Sequence, residues 1–116
     1  MHAYEIPNLR FSMPAGGEVL VHRFVSVAAD KAVTASADTA VIGVSMNEVT
    51  AKELEVNERI VEIADGIVMV EAAGAINAGA KVYSNATGQA AASGTDAVGI
   101  AMTSATGAGS LLAVKL

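Results

Sequence analysis

Short stretches in which apolar and polar positions alternate, cut by glycine and small polar residues, run along this chain and predict strands. The clearest is Arg59-Ile-Val-Glu-Ile-Ala64, then Asp65-Gly66, then Ile67-Val-Met-Val-Glu71. Two β-rich runs flank an Asp-Gly pair, which predicts a hairpin closed by a two-residue type I′ turn, where both central residues need φ > 0. In that register Ile63 faces Val68 and Val61 faces Val70, a β-branched face for the core. The other face sets Glu62 against Met69 and Ile60 against Glu71, a mixed surface that meets water or a partner.

A second pattern organises the rest. Ala40-Val-Ile-Gly-Val-Ser-Met46 and Ala97-Val-Gly-Ile-Ala-Met102 align on Gly43 and Gly99, with Val44 against Ile100 and Met46 against Met102. Before each copy, Phe24-Val25 followed by Asp30–Thr34 parallels Val82-Tyr83 followed by Gly88–Ala92. After each, Val61-Glu62-Ile63 parallels Val114-Lys115-Leu116. The period is near 56 residues, the mark of an internal duplication. In the glycine-containing strands one face is bulky, and the other, with Gly43 and Ser45 or Gly99 and Ala101, is nearly bare. Bare faces let another backbone approach, either inside the fold or on a partner. Helix signals are few. Thr50 with Glu53 has capping-box spacing. Ala72–Ala80 is interrupted by Gly74 and Gly79 and reads as a connecting loop.

The expected fold is therefore all-β: a compact β-barrel or sandwich of two pseudo-repeated halves, about residues 19–63 and 77–116, with little helix. Residues 1–15 stand apart as an extended N-terminal arm, without a repeat partner. Pro7 and Pro14 bar helix and central-strand roles, yet Tyr4, Ile6, Leu9 and Phe11 need a surface. The arm packs either on its own domain, residues 16–116, or on a neighbour.

Composition narrows the function. At 116 residues the chain has the size of one domain with a proper core. It has no cysteine, which removes disulfides and thiolate chemistry and fits a reducing compartment. Hydrophobic residues make up 53%, but no apolar run approaches the roughly 18 residues of a membrane span. The first twenty residues lack a signal-peptide core. With 7 Lys and Arg against 12 Asp and Glu, the net charge is −5, which disfavours nucleic acid as a partner. Aromatics at 3% are too sparse for stacking platforms.

Candidate chemistry is thin. Gly43-Val-Ser45-Met-Asn47 lacks the final glycine of a nucleophile elbow and sits in a strand. Gly107-Ala-Gly109 is followed by the strand-like Leu111–Leu116 where a phosphate loop needs a helix, and reads as a turn. His2 and His22 are the only histidines. No metal-ligand spacing or EF-hand loop occurs. The Asn85-Ala-Thr87 sequon means nothing outside a eukaryotic secretory route. A lipoyl or biotinyl carrier domain would need a lysine at the hairpin tip, where Asp65-Gly66 stands. The expectation is a protein-binding module, with no enzymatic activity, no cofactor, no metal and no membrane. Its contact residues are Tyr4, Ile6, Leu9 and Phe11 on the arm, with Glu62 and Met69 on the mixed hairpin face.

Gly74-Ala-Ile-Asn-Ala-Gly79-Ala-Lys-Val-Tyr83, the small-residue tract after it, Ala97-Val-Gly-Ile-Ala101 and the closing Val114-Lys-Leu116 give the chain a family look. From about residue 16 to 116 it resembles the phage capsid cement, or head decoration, proteins. The resemblance implies a small β protein made in a bacterial host's cytoplasm and mounted outside a tailed-phage head. There it would bind and reinforce the major capsid protein as a homo-oligomer, with a trimer favoured over a dimer. The alternatives are another virion component, such as a tail or fibre module, or a small ligand-binding accessory domain.

Overall fold

The computed structural model describes residues 6–37 and 39–116, with the backbone alone at 6–8. Its strands are β1 (Ile6–Pro14), β2 (Phe24–Ala28), β3 (Lys31–Thr34), β4 (Gly43–Ser45), β5 (Ile60–Glu71), β6 (Lys81–Ser84), β7 (Ala90–Ala91), β8 (Gly99–Ala101) and β9 (Leu111–Lys115). They form one antiparallel sheet in the order β3-β2-β4-β5-β9-β8-β6-β7, with β1 on β5, and the sheet curls into a half-barrel. The all-β expectation holds. The helix α1 (Ala51–Leu54) is a single turn.

The duplication is visible strand by strand. β2 pairs β3 and β4, and β4 pairs β5; likewise β6 pairs β7 and β8, and β8 pairs β9. Single hydrogen bonds repeat as well. The His22 amide donates to the Ser45 carbonyl at 3.0 Å, as Gly79 does to Ala101 at 2.7 Å. Met46 donates to Glu62 at 2.8 Å, as Met102 does to Ala113 at 2.7 Å. Two details of the sequence alignment shift. Val25 pairs Gly43 and Val82 pairs Gly99, so Val25, not Phe24, is the counterpart of Val82. Ser45 pairs Ile63 and Ala101 pairs Val114, so Ile63, not Val61, matches Val114.

The expected hairpin at Asp65-Gly66 does not form. β5 runs straight through it for 12 residues. The physical reason is that each end of the strand has a better partner elsewhere. Residues 60–67 pair β1, and residues 67–71 pair β9. Gly66 keeps a left-handed φ of 117°, and the Asp65 carboxylate accepts its amide at 2.8 Å, but the chain continues extended. Val61, Ile63, Val68 and Val70 are all buried, as the pattern demanded. They lie on opposite faces of one strand instead of one face of a ribbon. Val61 and Ile63 join a core with Ala15, Val19, Val25 and Val49. Ala64, Val68 and Val70 join the other, with Val82, Leu112 and Val114. β5 therefore belongs to both halves and carries one core on each of its faces.

The arm is a strand of this same sheet. β1 lies antiparallel to β5, Phe11 opposite Ile63 and Met13 opposite Val61, with a bulge between Pro7 and Leu9. In the second half β5 itself takes this place, Val68 standing opposite Val114. So the arm has a repeat counterpart after all: the second part of β5. Both prolines are tolerated because β1 is an edge strand.

The bare faces of β4 and β8 point inward. Gly43 and Ser45 are buried, and Ala101 is buried beside Val114. The capping box also forms. Thr50 Oγ1 accepts from the Glu53 amide at 3.2 Å, and Glu53 Oε1 accepts from the Thr50 amide at 3.1 Å. The Thr50 backbone bond, then its hydroxyl, hold the Glu53 carboxyl below its ordinary range; desolvation opposes them, and the Arg59 charge adds the least. A lowered folded-state value means that the bond's contribution is present above the unfolded value and is lost as pH falls through the folded one. Protection of the Thr50 amide, which the Glu53 carboxylate accepts, should therefore fall on acidification once the intrinsic exchange rate is divided out. Glu53→Gln should remove that pH response, whereas Thr50→Ala keeps the backbone bond and weakens the turn by about 1 kcal/mol through the lost cap.

Candidate interaction surface

The residues expected to touch a partner are not gathered in one place. Tyr4 lies outside the described residues, and only the backbone of Ile6 is described, opposite Ile67. Phe11 is half-buried and, with Met13, packs onto the core of the first half. Leu9 alone of the arm's described contact residues faces out, 55% exposed. Glu62 is exposed and Met69 half-buried. With no hairpin to fold them together, they stand on opposite faces of β5, roughly 23 Å apart at strand rise.

The seam between the halves is the best-built polar region. Arg23 Nε and Nη2 both reach Glu71 Oε2, at 2.9 and 2.6 Å, and Nη1 donates to the Thr87 carbonyl at 3.0 Å. The Phe24 amide donates to Gly88 and the Glu71 amide to His22, at 2.8 and 2.9 Å. Arg23 thus ties the entry of β2 to the end of β5 and to the loop before β7. Both side chains of the pair are largely covered, so screening is weak. Glu71→Gln removes the charge and keeps the shape. It should cost about 1–3 kcal/mol, read as a lower denaturant midpoint, with the loss unchanged by moderate salt.

His22 lies in a turn, with φ 59°, where its counterpart is Gly79 at φ 87°. Its Nδ1 is buried without a hydrogen-bond partner. Ser45 is a buried strand residue whose Oγ donates to the Leu20 carbonyl at 2.5 Å and accepts from the Arg23 amide at 3.1 Å. It pins the turn that carries His22.

A hollow of about 460 Å³ lies between Ala37, Thr39, Ala40 and Val41 and the matching Asp96, Ala97 and Val98 of the second half. Small side chains line it, with Asp96 as the charged group. A second, about 400 Å³, opens beside His22, Arg23, Glu48 and Glu71, where the arginine and Glu71 already hold each other. Among the described residues, no cluster of three histidine or acidic side chains could hold a metal ion. No helix among them is long and apolar enough to cross a membrane.

With the geometry in hand, the fold can be compared with known ones. The chain is similar to the head fiber gp8.5 N base in bacteriophage phi29. The TM-score is 0.72 at 17% identity, over 93% of this chain and 92% of that one. No protein-family model matches the sequence, and no curated protein sequence does. At that identity the likeness is one of fold, and it runs nearly end to end in both chains.

What the surface offers is exposed apolar side chains, on strands and in the turns beside them. Val56 is 74% exposed, and Ile60, Ile100, Met102 and Leu111 lie between 40% and 49%. Sequence reasoning missed these residues. The repeat hid them, because Ile100 and Met102 match Val44 and Met46, which the fold covers.

Proposed function

We propose that this chain is a structural protein of a phage virion, mounted on the outside of the head and bound to the major capsid protein. The observation that carries this reading is the fold shared with a phage head fibre base over nearly the whole of both chains. The resemblance of residues 16–116 to the head decoration proteins supports the same address. We read the chain as a binding protein without catalytic activity or cofactor, because its ionisable groups at the seam serve the fold.

Decoration works through many copies. One contact of standard size covers about 800 Å² per partner, and joining copies into an oligomer raises avidity by roughly 10²–10⁴. A trimer, with a dimer as the alternative, gives that gain. Binding the closed shell in preference to the opened one stabilises it by mass action.

A second reading, favoured by the same likeness, is the base module of a head fibre. The two separate on imaging: a cement protein forms low knobs across the lattice, a fibre base carries a projection.

Leu9 is the contact residue of the arm that can be changed without opening the core. Leu9→Glu is expected to weaken binding to heads about tenfold, with an unchanged melting temperature. Unchanged head binding would remove β1 from the contact.

A further inference from the structure

The two halves have matching outer faces, and only one of them is covered. In the first half a row runs across the strands through Phe24, Val44 and Ala64. All three are 0% exposed because the second half's core closes over them. The matching row in the second half is Lys81, Ile100 and Lys115. Ile100 is 41% exposed and both lysines are exposed. Beside this row stand Met102 and Leu111, also open.

Among the described residues, neither lysine has a carboxylate partner; the ion pairs are Arg23–Glu71, Lys31–Glu58 and Arg59–Glu53. Strand spacing places the two stems about 10 Å apart, one on each side of Ile100. This is an apolar strip between two unpaired cations, in a chain whose net charge is −5.

Its complement lies on the first half. Val56 is 74% exposed and Ile60 45% exposed. Along the chain Glu55 precedes Val56 and Glu62 follows Ile60, both exposed and, among the described residues, in no ion pair. The two apolar side chains are thus flanked in sequence by acidic ones.

We propose that the Lys81–Ile100–Lys115 face of one copy docks on the Val56–Ile60 surface of a second copy, with Glu55 and Glu62 meeting the lysines. The contact is head-to-tail, so it leaves both faces of a pair available until a ring closes. The general repulsion of two acidic chains is overcome where the lysines sit, which also fixes the register. The proposal deepens the many-copy reading above, but its test needs no capsid.

The test is sedimentation of the free protein and of two double variants, K81E/K115E and E55K/E62K. All four positions are exposed, so far-ultraviolet circular dichroism and melting temperature should match the parent. The parent should sediment as a closed oligomer. Each double variant should associate about tenfold or more weakly. An equal mixture of the two should regain the parent mass, because each supplies the charge the other lacks. A monomeric parent, variants of parental mass, or a mixture that stays dissociated would each overturn the proposal. Head binding, measured separately, fails on its own if the virion reading is wrong.

Discussion

Phe24→Ala is expected to destabilise the protein by about 3–5 kcal/mol, the usual cost of emptying a buried aromatic site. Phe24 heads the largest fully buried side chains, and it packs in the core that joins both halves. Its ring is the first half's plug in the second half's core. Removing it leaves a cavity between the two halves of the curled sheet, whose strands are held by their ladders, so collapse cannot refill the space. The repeat supplies the control. Lys81 takes the matching place in the second half and is exposed. Lys81→Ala should change stability by no more than about 0.5 kcal/mol. Urea melts of the two variants measure the difference. Equal small effects would mean that the halves do not pack through this face.

The second large effect is expected at the paired glycines. A Cβ on Gly43 would lie 2.6 Å from the Ala64 carbonyl oxygen and 2.6 Å from Ile63 Cγ2. One on Gly99 would collide with the Lys115 carbonyl oxygen and lie 2.8 Å from Val114 Cγ1. Neither glycine has a positive φ, so space, not conformational freedom, is what each site requires. The obstacle in both is backbone of the next strand, which moves only by breaking the ladder. Gly43→Val and Gly99→Val should each cost about 3 kcal/mol or more. Gly17 and Gly74 have nothing within 4 Å of an added Cβ and no positive φ. Alanine there should be neutral or stabilising by up to about 1 kcal/mol. Thermal melts of the four variants should split into these two groups.

The glycines also explain how much of the fold was legible. Gly43 and Gly99 aligned the two copies in sequence because the same steric demand recurs in the same ladder, and a demand of that kind survives when side chains drift. The capping box at Thr50 was legible because it is local. The Asp65-Gly66 hairpin was misread for the opposite reason. Its turn chemistry is local, but two distant strands, β1 and β9, claim the residues on either side. Long-range pairing overrode a good turn signal. The arm followed from the same error. With a hairpin at 59–71, β5 had no open edge for residues 6–14, so their alternation of Leu9, Phe11 and Met13 with Arg10 and Ser12 was passed over.

The candidate contacts fared according to the same geometry. Leu9 faces out from β1. Phe11 turned inward because β1 is part of the core wall. Glu62 and Met69 were paired only by the hairpin that does not exist. Ile100 and Met102 were invisible because the pattern assigns a bulky alternating face to the core. That assignment is right for Val44 and Met46 and fails where the duplication runs out of a covering half.

The measurement that tests the proposed head-binding role most directly is electron cryomicroscopy of undecorated phage heads incubated with the purified protein. The account predicts extra density of this size at regular sites on the outer surface of the shell, with the half-barrel fitting the density. Heads that stay bare at saturating protein, or protein found only on tails, would contradict it.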